Sequence, residues 1–202
     1  MNKSLTLALV ATCLAIGAAS AQTTGTEVQR NVDQQQRIEN GLQSGQLSTK
    51  EASKLEKGEA HIDKMEANAN KNGGPTPQQA AAIQRAQNRE SNAIYRDKHN
   101  ATTGNPNSAS SQRMQADVQR NVNQQTRIEN GVKSGQLTNQ ETARLERGQG
   151  RVNKAEARAG ANGHVGAGEQ ANIQARENNQ SRRVFNKKHN GNTTASQNGQ
   201  GG

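Results

Sequence analysis

Residues 28–100 recur as residues 118–190 without a gap, and this constrains the chain more than any other feature. Val28-Gln29-Arg30-Asn31-Val32 returns as Val118-Gln119-Arg120-Asn121-Val122, and Arg37-Ile38-Glu39-Asn40-Gly41 as Arg127-Ile128-Glu129-Asn130-Gly131. Whatever one copy folds into, the other must fold into as well. A function is therefore expected twice, or shared between the copies.

Within a copy the apolar residues follow helical steps. Val28, Val32, Gln35, Ile38 and Leu42 share one narrow face, as do Ala52, Leu55, Ile62, Met65 and Ala69. Ala80, Ile83, Gln87 and Ile94 form a third stripe beside Tyr95, and the second copy keeps all three. Ser44-Gly45 stops the first helix, because glycine tolerates the left-handed cap conformation. Ser48-Thr49-Lys50-Glu51 fits a capping box and starts the second. Thr76-Pro77-Gln78-Gln79 starts the third, whereas Gly166-Ala167-Gly168-Glu169 has lost the cap and the proline. The expected fold class is all-α: two tandem three-helix modules, residues 22–100 and 118–190. A flexible linker is expected over 101–117 and a disordered tail over 191–202.

Residues 1–21 read as an export signal. Lys3 precedes an apolar run from Leu5 to Gly17, and Ala19-Ser20-Ala21 is a cleavage site. The run is short for a membrane span, and nothing later is apolar enough to be one. A periplasmic or secreted location follows. The only cysteine, Cys13, leaves with the signal, so disulfides and thiol chemistry are excluded from the mature chain. Tyr95 and Phe185 are the only aromatics and the hydrophobic content is 29%, too little to line a substrate pocket. No catalytic constellation is present, and the chain reads as a non-enzymatic interaction or structural protein, monomeric or paired as a homodimer.

Charge suggests what it meets. Residues 28–100 carry 11 basic and 9 acidic side chains, a net +2; residues 118–190 carry 13 and 6, a net +7. On the last helix Arg176, Arg183 and Lys187 share a face, flanked by Arg182 and Lys188. This points to an anionic polymer, lipid headgroups or another envelope protein as partner. Sequence-specific nucleic-acid binding is not expected, since there are almost no aromatics to stack on bases.

The turn between the first two helices has a second reading. Asn40 to Glu51 has the outline of a twelve-residue EF-hand calcium loop, with Gly45 sixth, Leu47 eighth, Ser48 ninth and Glu51 twelfth. Asn130 to Glu141 matches it. The resemblance implies calcium ligation by Asn40, Ser44, Ser48 and Glu51, and by Asn130, Ser134, Thr138 and Glu141. Only one carboxylate stands in each loop, where such sites need several. Capped helix hairpins explain the same residues with no cofactor, and this is the first expectation, with calcium the alternative.

Each copy also carries an Arg-Ile…Gly…Ser-Gly-Gln-Leu…Glu…Leu-Glu pattern ending in Lys-His-Asn, at Arg37 to Glu56 and Lys98 to Asn100 and again ninety residues on. In this it resembles a family of small exported proteobacterial repeat proteins without an established activity. The resemblance implies a Gram-negative periplasmic setting.

Overall fold

The computed structural model describes residues 14–195, with side chains from residue 24 onward. Residues 1–13 of the expected export signal and residues 196–202 of the expected tail lie outside the described residues. The described chain is all-helical: α1 Leu14–Gln43, α2 Thr49–Asn70, α3 Pro77–Lys98, α4 Ala109–Lys133, α5 Asn139–Ala159 and α6 Ala167–Lys188. A single 3₁₀ turn, Gly160–Asn162, follows α5.

The boundaries form for the reasons the sequence suggests. Gly45 and Gly135 take φ of +74° and +71° at the ends of α1 and α4. Leu47 N–H then donates back to the Gly41 carbonyl at 2.9 Å, and Leu137 to Gly131 at 2.9 Å. This is a left-handed glycine C-cap, with the leucine folded over the last turn. A Cβ on Gly41 would lie 2.6 Å from Leu47 Cδ1, so only glycine fits beneath it. Ser48, Thr76 and Thr138 each cap a helix and complete a box with Glu51, Gln79 and Glu141. At α6 the Gly166 cap offers no side chain, but Glu169 still accepts from the Gly166 N–H at 2.8 Å.

Two expectations are corrected. Helix α4 starts at Ala109, behind the Ser108 cap, so residues 109–117 of the expected linker are helical. Met114 and Asp117 there are fully buried. Even before the helix, Gly104 N–H donates to the Gly45 carbonyl at 2.8 Å, and in the expected tail Thr194 N–H donates to Gly135 at 3.1 Å. A linker that must satisfy buried partners cannot stay loose.

The copies are also not separate modules. Helix α2 lies antiparallel along α5: a Cβ on Gly160 would meet Ser53 at 2.8 Å, and one on Gly150 would meet Asp63 Cβ at 3.1 Å. Helix α1 runs antiparallel to α4, bringing Lys133 Nζ to Gln29 at 2.9 Å. One apolar cluster joins Leu42, Leu47 and Leu55 of the first copy to Met114, Val118 and Val152 of the second. A smaller one seats Val28 of the first copy among Ile128, Leu137, Leu145 and Val184 of the second. Each copy's core is thus completed by the other, because an amphipathic three-helix unit with so few large apolar residues leaves one face uncovered.

Candidate metal centre

Helices α2 and α5 each carry two buried stripes, one apolar and one polar. The polar stripe of α2 is Glu56, Glu59, Asp63 and Glu66, at helical steps of three and four. That of α5 is Glu146, Gln149, Asn153 and Glu156, at the same steps ninety residues later. All eight are at most 1% exposed. The antiparallel crossing sorts them into two clusters related by an approximate two-fold, each drawing on both copies.

In the first cluster Asp63, Glu66 and Glu146 bring one carboxylate oxygen each to within 4.8 Å of the others. Helix α1 supplies Asn31, whose Nδ2 donates to Glu66 Oε2 at 2.7 Å. Helix α3 supplies Gln87, whose Nε2 donates to Glu66 Oε1 at 3.0 Å and to Asn31 Oδ1 at 2.9 Å. Helix α4 supplies Gln125, whose Nε2 lies 3.3 Å from both Asp63 Oδ1 and Glu146 Oε2. Glu27 adds a fourth carboxylate whose charge acts on Glu66. Glu146 Oε1, Gln125 Oε1 and both Glu27 oxygens are buried without a hydrogen-bond partner in the protein.

The second cluster repeats the plan with altered charges. Asn121 Nδ2 donates to Glu156 Oε2 at 2.7 Å, and Gln35 Nε2 to Glu56 Oε2 at 3.0 Å. Asn153 replaces the aspartate, and its Nδ2 reaches across to Asp63 Oδ2 at 2.9 Å, tying the clusters together. Glu177 stands where the first cluster has Gln87, and Arg120 approaches it to 3.0 Å. Asp117 occupies the position of Glu27.

So much buried acid cannot stay ionised without counter-charge. Burial first, and then the carboxylates of Glu146 and Glu66, push Asp63 well above the ordinary range. Burial with Glu146 and Glu27 does the same to Glu66. Burial with Glu56, Glu177 and Asp117 raises Glu156. Glu27 is pushed up to about 7 by burial and Glu146, and Glu177 to about 8 by burial and Asp117 despite Arg120. Asp63 with Glu146, and Glu56 with Glu156, behave as proton-sharing pairs. Such an interior has two ways to reach neutrality, by holding protons or by holding cations.

The donor set decides which cations fit. Both clusters offer carboxylate and amide oxygens, and their described members include no histidine or cysteine. Oxygen-only sites suit hard ions such as Ca²⁺, Mg²⁺ and Mn²⁺ rather than Zn²⁺ or copper.

The residues singled out from the sequence lie elsewhere. Asn40 and Asn130 are exposed on the last turns of α1 and α4. Ser44 Oγ contacts the Gly41 carbonyl at 3.3 Å, and Ser134 Oγ the Gly131 carbonyl at 3.3 Å. Glu51 Oε2 accepts from Ser48 N–H at 3.0 Å and from its hydroxyl at 2.7 Å, while Oε1 accepts from Asn100 Nδ2 at 2.8 Å. Burial pushes the Glu51 carboxyl up, but the hydrogen bonds from Ser48 and Asn100 outweigh it and hold it below its usual value. Glu141 is engaged in the same way by Thr138 and Asn190. The glycine, leucine and glutamate that suggested a calcium loop form a glycine C-cap followed by a capping box.

The Lys-His-Asn endings share in this frame. His99 and His189 cap α3 and α6, each placing Nδ1 2.7 Å from the carbonyl four residues back and stacking on Tyr95 or Phe185. Arg176, Arg183 and Lys187 do come together, in a groove between α5 and α6. Arg182 instead bonds Asn179, and the half-buried Lys188 packs near Gly131.

No protein family, curated protein or solved structure matches the chain.

Proposed function

We propose that this is an exported, non-enzymatic protein that binds hard multivalent cations in its interior. One observation carries the reading. Three buried carboxylates from two copies of the repeat converge within 4.8 Å, and Glu146 Oε1 is reached by no N–H or hydroxyl of the protein, which leaves the cluster a proton shared with Asp63 or a cation to neutralise it. A carboxylate cluster retained only for stability would be expected to have its acceptors filled, since an unsatisfied buried acceptor costs about 1–3 kcal/mol. The oxygen-only donors favour Ca²⁺ or Mn²⁺, and the accumulated negative charge favours ions of charge two or three. The export signal expected over residues 1–21 would place the chain where calcium is plentiful.

The test is isothermal titration of chelator-treated protein at pH 7.5 with Ca²⁺, Mn²⁺ and La³⁺. Three forms are compared: the parent, the Asp63→Asn/Glu146→Gln double variant, and Glu51→Gln. Binding in the parent and in Glu51→Gln, with a loss of at least tenfold in the double variant, is expected. Absence of binding for all three ions would overturn the proposal. Loss confined to Glu51→Gln would return the site to the α1–α2 turn.

A further inference from the structure

The second copy carries a surface that the first lacks. Along one face of α5, Arg144, Arg147, Arg151, Lys154 and Arg158 follow steps of three and four and span about 21 Å. Helix α6 runs antiparallel beside it. Arg176 faces Arg151 and Arg158 toward one end of the groove, while Arg183 and Lys187 face Arg144 and Arg147 at the other. The groove floor is formed by Gly148, Val152 and Gln180, and Glu169 is the one acidic residue at its margin.

Among the described residues only Lys187 of these eight cations is in an ion pair, 3.5 Å from Glu141. Like charges are crowded enough to act on one another: Arg151 is held below its usual value by burial, then by Arg183, Arg147 and Arg176. The corresponding positions of the first copy dissolve the pattern. Arg151, Arg158, Arg176, Arg183 and Lys187 become His61, Asn68, Ala86, Ala93 and Asp97. General solubility would not concentrate cations in one copy's groove. Self-repulsion is tolerated where a ligand supplies the missing charge.

We infer that the α5–α6 groove is a binding site for a single strand of a linear phosphate polymer. A groove between two helices accepts a strand lengthwise, where a lipid surface would need a flat or convex cationic face. Arginine predominates, and its planar fork pairs bidentately with phosphoryl oxygens. No aromatic lines the groove, so the phosphates, rather than bases, are what it can hold.

The probe is medium-chain inorganic polyphosphate, titrated against the full chain over a series of salt concentrations. Two variants accompany it: Arg147→Gln/Arg151→Gln/Arg183→Gln in the groove, and Lys54→Gln/Lys57→Gln/Lys64→Gln on the matching face of the first copy. All the substituted positions are exposed, and unchanged helical melts establish that both variants fold. The parent should bind with affinity falling linearly against log salt. The groove variant should lose at least tenfold and lower that slope by about 2, at roughly 0.7 per phosphate contact. The control should stay within twofold.

Equal losses in both variants, or no binding at low salt, would overturn the inference. Oligothymidylate bound with the same groove dependence would support phosphate recognition. Oligothymidylate bound where polyphosphate is not would overturn it, because sugar or base would then be read. Anionic vesicles bound more tightly than polyphosphate, and equally by the groove variant, would also overturn it.

Discussion

Removing cations from this protein should reverse the usual dependence of stability on pH. Glu27 illustrates the magnitude, since its carboxyl rises from 4.5 to about 7 on folding. That rise corresponds to about 3 kcal/mol. The folded state holds this proton where the unfolded chain has released it. The stabilisation is therefore complete below about pH 4.5 and lost as pH climbs through 7. Glu56, Glu90, Asp117 and Glu146 are also raised to about 7, and Glu177 to about 8. Halving each contribution for water entry and mutual coupling still leaves about 10 kcal/mol, comparable with the whole stability of a domain. A bound cation would replace the protons instead. At a hundredfold excess over its dissociation constant it contributes about 2.7 kcal/mol, or roughly 5–10 °C in a chain of this size. The assay is a set of circular dichroism melts at pH 5.5, 6.5, 7.5 and 8.5, with chelator and with millimolar Ca²⁺ or Mn²⁺. The chelated protein should lose more than about 10 °C between pH 5.5 and 8.5, and cations should restore stability only at the upper end. A chelated midpoint that is flat or rises with pH would refute the buried-acid reasoning. A falling midpoint indifferent to every cation would leave an interior of protons alone and refute the metal.

Other consequences separate ligation from packing. Asp63→Asn/Glu66→Gln should melt higher than the parent at pH 8 with chelator, because two buried acids are neutralised, yet lose the cation-induced shift. Gly41→Ala should lower stability by about 1–3 kcal/mol, read from urea midpoints, since the new Cβ meets Leu47 Cδ1 and Cγ at 2.6 and 2.7 Å and Leu47 is fully buried. Asn100→Ala should cost about 1 kcal/mol by the same measurement, leaving Glu51 Oε1 without its donor, and should not alter cation affinity.

The turns and apolar stripes were legible in the sequence because they depend on neighbours three or four residues apart. Gly45, Ser48, Thr76 and Thr138 act where spacing puts them, and Val28, Ile38, Leu55, Ile83 and their counterparts are buried as periodicity requires. The acidic interior was not legible, because Glu56, Asp63 and Glu66 read locally as an ordinary solvated face. What buries them is α5, ninety residues away. One signal did exist: Asn31, Gln35, Glu56 and Glu66 recur unchanged as Asn121, Gln125, Glu146 and Glu156, polar residues held at exact repeat positions. Gln35 even sat within the apolar stripe of α1. The basic groove was half legible. Arg176, Arg183 and Lys187 lie on one helix face, but the larger share of the charge comes from α5, and only the antiparallel hairpin brings the two rows together.

Because each cluster takes side chains from both halves, one unit alone would hold two incomplete sets of ligands. Two identical units paired about a two-fold would complete both sets, but would be bound to keep them the same. Joining the units in one chain lifts that restriction, so a substitution can alter one cluster and spare its twin. Asp63 against Asn153, Gln87 against Glu177 and Glu59 against Gln149 are such departures, moving acid from one side of the axis to the other. On the proposed reading, the first cluster would hold an ion while the altered second cluster stores protons, within a single approximately symmetric frame.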